Sequence, residues 1–235
     1  MEIVKGRYGE CRFCDNMDPE FGLPSLEEKS WDLCLTDPPY GINFKGKKSN
    51  VWNMNAYRDL KIYYEDNMSS KDYLEWCWIW RDLCIKKANG LIVTCGRVNL
   101  FEWILNKVPD YQLSFWYKDF SADFHHYDPI LRYGKIPNPS TFRDVWNIPL
   151  LKPTEYFKHP CPKSIELWEM IIKSQNPTSV LDPFLGSGTT AEVCESLKIP
   201  WLGYEIMEAY KPDIEKRIKR GIEKSKQTNL EAFFT

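Results

Sequence analysis

Apolar residues along this chain fall into short bounded runs separated by stretches of helical spacing. Trp31–Leu35, Leu91–Cys95, Ser179–Leu181 and Trp201–Tyr204 are brief, mostly apolar runs that stop at Pro, Gly or acidic residues, the signature of buried strands. Tyr111–Lys118 alternates, and Ile3–Tyr8 and Pro129–Tyr133 suit shorter strands. Helical periodicity runs over 71–87 behind a Ser70 cap, with Tyr73, Leu74, Cys77, Trp80 and Leu83 on one face and Asn89-Gly90 as the stop. Further helices are predicted over 99–107, after Ser164 (Ile165, Leu167, Trp168, Ile171, Ile172), over 189–197, and over 210–227. In the last of these Ile214, Ile218 and Ile222 form a seam and the charges a solvated face. Strands alternating with helices predict an α/β fold.

Two stretches break the pattern. Residues 42–70 are poorly periodic and carry Lys45, Lys47, Lys48, Arg58 and Lys61; segments of that length inside a compact domain are usually functional or mobile, and a lid or phosphate-contacting loop is expected here over a solvated surface loop. Residues 119–149 hold four prolines, the pair His125-His126, and Arg132, Lys135 and Arg143. Adjacent histidines on a strand face opposite ways, so a surface role is expected of them and not a metal site.

The first of those loops follows Thr36-Asp37-Pro38-Pro39-Tyr40-Gly41, where the Trp31 run ends. Each proline fixes its own φ and holds the preceding residue extended. The Asp37 carboxylate and the Pro38 carbonyl thus become candidate acceptors at a strand's carboxyl end, with the Tyr40 ring beside them. Two acceptors and a flat ring suit a nucleobase with an exocyclic amine. Taken alone, the stretch fits equally well a Pro-Pro turn in which Asp37 caps local backbone.

A second constellation follows Val180-Leu181: Asp182-Pro183-Phe184-Leu185-Gly186-Ser187-Gly188-Thr189-Thr190, a helix, a strand, and Glu205. Strand, Gly-x-Gly turn, helix, strand and acidic residue is the layout of a nucleoside-binding unit. Glu205 lies about 20 residues past the glycines, the spacing that brings a carboxylate to ribose hydroxyls. Asp182, immediately before the turn, opposes pyrophosphate and favours a cation. S-adenosylmethionine combines an adenosine with a positive charge and fits both.

Composition narrows the setting. A net charge of −2 does not advertise a nucleic-acid binder, so such a partner has to meet a local basic face. No apolar run is long enough to span a bilayer, and Met1–Lys5 lacks the regions of a secretion signal. The eight cysteines are scattered, and the five inside apolar segments (Cys34, Cys77, Cys84, Cys95 and Cys194) predict reduced core residues of a cytosolic protein. Cys11 and Cys14 form a CxxC pair with no second pair to complete four zinc ligands, so no metal is expected.

With TDPPYG first and LDPFLGSGTT last, the chain resembles the amino-group DNA methyltransferases of permuted, β-class order. The resemblance covers about Ile3 to Ile218. It implies a twisted, mostly parallel seven-stranded sheet with helices on both faces, one methyltransferase domain over 1–235, and a short target-recognition insertion at about 119–150. It implies Asp37, Pro38, Pro39 and Tyr40 as catalytic residues, and Asp37, Asp182, Phe184, Gly186, Ser187, Gly188, Thr189 and Glu205 as contacts of S-adenosylmethionine. Gly-Glu-Cys resembles the family's acidic position near the cofactor adenine and adds Glu10. HPCPKSIELW resembles the segment before the cofactor strand and adds Lys163, although Pro162 and Ser164 stand where the family commonly has Gln and Pro. Double-stranded DNA is the implied substrate, with Lys45, Lys47, Lys48, Arg58, Arg132, Lys135 and Arg143 as candidate contacts. The short target-reading segment suggests a homodimer, and a cognate restriction endonuclease is a possible partner in a prokaryotic or viral host cytoplasm. Asp37, where cytosine-N4 enzymes more often carry Ser, favours adenine N6. Cytosine N4 and a non-catalytic nucleic-acid-binding subunit are the alternatives.

Overall fold

A computed structural model describes residues 1–41, 68–118, 126–149, 157–159 and 161–231. Nine strands are β1 (Glu2–Lys5), β2 (Gly9–Phe13), β3 (Trp31–Thr36), β4 (Ala88–Thr94), β5 (Ser114–Tyr117), β6 (Tyr127–Gly134), β7 (Val145–Asn147), β8 (Val180–Asp182) and β9 (Trp201–Glu205). The helices are α1 (Ser70–Lys87), α2 (Leu100–Asn106), α3 (Ile165–Gln175), α4 (Thr189–Leu197) and α5 (Lys211–Glu231). The strands form one sheet in the order β1-β2-β9-β8-β3-β4-β6-β5-β7.

The sheet is nine-stranded and mixed, which corrects the expected seven mostly parallel strands. β2, β9, β8, β3 and β4 run parallel, while β1 is antiparallel to β2 and β6 is antiparallel to β4 and β5. The two additional strands have local causes. The Ile3–Tyr8 run folds back at Gly6, whose N–H bonds Gly9 O at 2.8 Å, so one expected strand becomes the β1–β2 hairpin. β7 is only three residues long and pairs with β5. The 119–150 stretch thus supplies β6 and β7 to the main sheet.

Two cores explain the continuous apolar runs, since strands buried on both faces need no alternation. Leu33, Leu35 and Ile92 face the layer of α3, α4 and α5, while Cys34, Leu91 and Val93 face α1 and α2. α1 is capped by Ser69, whose hydroxyl accepts from Asp72 N at 3.2 Å, one residue before the expected cap. Asn89-Gly90 continues into β4 and does not form a stop. A Cβ on Gly90 would lie 2.8 Å from the Ile136 backbone, so glycine here admits the close pass of the chain leaving β6. The charges of α5 are not all solvated: Arg217 is 4% exposed and meets the buried Glu192 of α4 at 3.0 Å.

Chain order reverses between β8 and β3, which pair through Leu33–Val180 and Cys34–Leu181. From there the chain winds outward both ways, to β9 and to β4. Ligands of open α/β sheets bind at such a switch point, beyond the strands' carboxyl ends. Both sequence constellations emerge there.

Candidate active site

β3 delivers Asp37 to the rim, and the loop after it is clamped from two sides. The Tyr73 hydroxyl of α1 donates to Pro39 O at 2.7 Å, and Asn99 Nδ2 donates to Tyr40 O at 2.8 Å. Gly41, at φ +65°, turns the chain against the Tyr73 ring, where a Cβ would come within 2.6 Å. Pro38 is buried and Tyr40 half-buried.

Among the described residues, every partner of the Asp37 carboxylate falls on Oδ1. Tyr40 donates its hydroxyl at 2.7 Å, Thr94 of β4 donates as well, and the Lys163 ammonium stands at 3.0 Å. Lys163 also donates to the Tyr40 hydroxyl at 2.9 Å and reaches Asp128 of β6 at 3.5 Å. Asp128 in turn pairs with Lys118 at 2.9 Å. Burial opposes the charge on Lys163, but Asp37 and then Asp128 outweigh it and hold the ammonium well above the ordinary lysine range. Burial likewise pushes the Asp128 carboxyl up, and Lys163 and Lys118 overcome it to leave the group below its usual value. Thr94, Lys118 and Asp128 were not read from the sequence. Each is a lone residue with no local motif, joined to Asp37 only by the β3–β4–β6 pairing.

The second half of the site opens from β8. Asp182 is 3% exposed and held by three donors: Thr36 Oγ1 and Phe184 N donate to Oδ1 at 2.6 and 3.0 Å, and Thr190 Oγ1 donates to Oδ2 at 2.5 Å. Burial pushes its carboxyl up to about 6 against the lowering by Thr190, Thr36 and the Phe184 N–H. Gly186, at φ +54°, lies where a Cβ would be 2.9 Å from His159 Nε2, so the backbone itself lines the pocket. Gly188 caps α4, Ser187 is buried, and the Thr189 hydroxyl sits 3.4 Å from Lys163 O. Phe184 is half-buried, edge-on to Trp76 and Trp80 of α1.

Glu205 closes the loop from β9, accepting from Gly186 N and Met207 N at 2.8 Å each. Each oxygen keeps a lone pair for another donor. Burial pushes this carboxyl up to about 7, against the lowering by those backbone N–H groups. A cavity of about 30 Å³ joins the two halves, lined by Asp37, Lys163, Asp182, Phe184, Gly186 and Thr190 among others.

Some expected residues lie elsewhere. Glu10 is in register with Leu202, three residues short of the Phe13–Glu205 pair at the rim, and its carboxylate is engaged by Arg12 at 2.9 Å. At about 3.3 Å per residue it is about 10 Å below the loops. The strand runs on past Glu10 to Phe13, and Asn16 just beyond it donates to Pro183 O at 3.0 Å. Arg132 is 4% exposed, stacked near Phe142 and Tyr111 and donating to Gln112 O, so it belongs to the core and not to a DNA surface. Lys135 bonds Asn89 O at the opposite end of the sheet from Asp37. Arg143 is exposed over Trp146, while Lys45, Lys47, Lys48 and Arg58 lie outside the described residues. Cys11 is buried in the core, and Cys14 is half-buried.

A switch-point pocket that joins a glycine loop and ribose-spaced carboxylate to an Asp-Pro-Pro-Tyr rim defines a transferase built for a nucleoside cofactor and a planar amine. Comparison with known proteins narrows the class. Residues 98–216 match the model of the DNA methylase family. Type II methyltransferase M.HpaI of Haemophilus parainfluenzae is 27% identical over 80% of this chain and 68% of its own length. Type II methyltransferase M2.DpnII of Streptococcus pneumoniae is 30% identical over 84% of this chain and 85% of its own. The crystal structure of the M1.HpyAVI–SAM complex superposes with a TM-score of 0.58 at 23% identity, covering 89% of this chain and 99% of that one, and shares the fold. The chain belongs to the DNA methylase family, the amino-group DNA methyltransferases.

Proposed function

We propose that this protein transfers a methyl group from S-adenosylmethionine to the N6 amine of adenine in double-stranded DNA. The observation that carries the reading is the Asp37 carboxylate at the rim, with its described partners gathered on Oδ1 and Oδ2 turned to none of them. That oxygen and the Pro38 carbonyl are the acceptors for the two amine hydrogens. Accepting both concentrates the nitrogen lone pair, which is otherwise delocalised into the ring. Tyr40 offers its face to a base extruded from the duplex, offsetting part of the few kcal/mol that unstacking costs.

When bound, S-adenosylmethionine would supply an electrophilic methyl group on its sulfonium, and Asp37 and the Pro38 carbonyl would orient the amine towards it. The residues present fit that group. The Gly186 backbone lines the pocket, Glu205 keeps acceptor capacity for ribose hydroxyls, and Asp182 places negative charge beneath a cation. This protein's contribution is orientation and electrostatics. One domain carries both halves, with the 119–150 stretch reading the target and exposed Arg143 as a backbone contact. We also hold to a homodimer in solution.

The test is methylation of mixed-sequence DNA, followed by digestion and mass spectrometry. N6-methyladenine is expected; N4-methylcytosine would keep the pocket and refute the base. Asp37→Ala should abolish transfer while S-adenosylmethionine still binds, and an active Asp37→Ala enzyme would sink the mechanism.

A further inference from the structure

Four charged side chains meet where β3 ends and β6 begins, and the methyl-transfer reading uses only two of them. Lys163 Nζ stands 3.0 Å from Asp37 Oδ1 and 3.5 Å from Asp128 Oδ2, so it bridges two carboxylates. Lys118 holds the same Asp128 oxygen at 2.9 Å. Side-chain exposure is 13% for each lysine, 15% for Asp128 and 21% for Asp37. At such burial neither ammonium can be stranded without an anion except at a cost of several kcal/mol. The Trp116 ring lies under both, 5.0 Å from Lys118 Nζ and 5.4 Å from Lys163 Nζ.

This arrangement weakens the carboxylate that the reaction uses. Lys163 holds Asp37 Oδ1, and its positive charge draws electron density from Oδ2, the oxygen offered to the target amine. The cavity there is about 30 Å³, room for a water at about 10–15 Å³ each and far below the roughly 300 Å³ of a small-molecule site. Binding therefore displaces side chains that line it. Lys163 is the lining residue that carries positive charge, and it already has a second anion within reach. A shift on the order of 1 Å would bring the 3.5 Å separation to charge-assisted hydrogen-bond length.

We propose that Asp128 is a positioning residue that receives the Lys163 ammonium as methyl donor and target base enter, drawing it off Asp37. The inference rests on the methyl-transfer reading above. Asp128 is suited to the role because it does not move with the loops: it sits in β6, in register with Trp116 of β5. Lys163 and Lys118 together keep Asp128 ionised, and Lys118 holds it in place at 2.9 Å. Among the described residues, loss of Asp128 would leave Lys163 no anion but Asp37, locking the pair in the arrangement seen here.

The experiment measures single-turnover methyl transfer at saturating S-adenosylmethionine and DNA, with donor affinity by calorimetry. Asp128→Asn should slow transfer about tenfold or more, the value of one charge-assisted hydrogen bond, while donor affinity changes less than about threefold. Asp128→Glu should recover most of the rate. In a Lys163→Met background, Asp128→Asn should change the rate less than about twofold, because its effect passes through the lysine. Equal losses in both backgrounds, or no loss in either, would overturn the proposal. If Asp128→Asn alone does not fold, Asp128→Asn with Lys118→Met removes one charge of each sign and carries the same expectations. A wild-type protein that transfers nothing to DNA amines would instead refute the methyl-transfer reading, so the two failures are distinguishable.

Discussion

Glu205 gives the donor site a pH dependence whose size follows from its surroundings. Burial raises its carboxyl to about 7, and its two oxygens are aimed into the glycine loop by the Gly186 and Met207 N–H groups. Ribose hydroxyls are donors and need the ionised carboxylate. Donor affinity should thus be full above pH 7 and fall as pH drops through 7. Between pH 8 and pH 6 the ionised fraction goes from about nine-tenths to about one-tenth, which weakens binding about tenfold, or about 1.3 kcal/mol. Binding at pH 7 should release about half a proton from this group.

The assay is calorimetric titration with S-adenosylmethionine from pH 5.5 to 8.5, on wild type and Glu205→Gln. The ratio of the two affinities is the quantity to read, since it cancels the ligand's own ionisation. That ratio should be about tenfold or more at pH 8 and fall about five- to tenfold by pH 6, as the carboxylate that Gln lacks becomes protonated. Any fall left in Glu205→Gln below pH 6 belongs to Asp182, raised to about 6. A ratio that stays flat across the range would refute the assignment of Glu205 to the donor.

Three further outcomes are expected. Tyr40→Ala should slow transfer roughly tenfold or more by removing a stacking face worth about 1–3 kcal/mol, whereas Tyr40→Phe keeps the ring and should cost only several-fold; equal rates for the two would exclude stacking. Glu192→Ala strands the buried Arg217 guanidinium, paired at 3.0 Å, and should lower unfolding stability by about 3–5 kcal/mol in urea titration. A loss below about 1 kcal/mol would show that Lys224, at 2.8 Å from the other Glu192 oxygen, is not needed to hold the cluster either. Light scattering should report a dimer, and a monomer both free and on DNA would overturn that expectation.

What the sequence made legible was whatever is local. Asp37–Tyr40 and Asp182–Gly188 announce themselves because prolines and glycines constrain backbone within a few residues, and the apolar runs of β3, β4, β8 and β9 are bounded by such breakers. β7 was not legible because three residues, Val145–Asn147, carry no periodicity. Glu10 was misplaced because a three-residue resemblance cannot show how far a strand continues, and β2 runs on to Phe13. Arg132 looked like a surface cation because charge alone does not reveal the aromatic rings of Tyr111 and Phe142 that take it in. Asp128 was invisible for a related reason: its partner Lys163 is 35 positions away and lies before α3, on no strand that pairs with β6.

The placement of those charges ties the fold's cost to its chemistry. Asp182 and Glu205 both sit at strand ends with carboxyls raised by burial, to about 6 and about 7. Each binds a proton more tightly folded than unfolded, so each subtracts from stability as pH rises from the ordinary carboxylate range through its folded pKa, and the full penalty is present above it. The two cores flanking β3 and β8 carry that penalty. Thr36 spans the seam between the halves, extending β3 and donating to Asp182 at 2.6 Å, with Asp37 the next residue along. A cation bound above Asp182 relieves the penalty that an empty neutral pocket leaves in place, and by linkage whatever relieves it stabilises the fold. The methyl donor carries such a charge on the atom next to the methyl. In the proposed reaction, donor binding would therefore draw on the electrostatic imbalance created by burying carboxylates where β8 and β9 end beside β3.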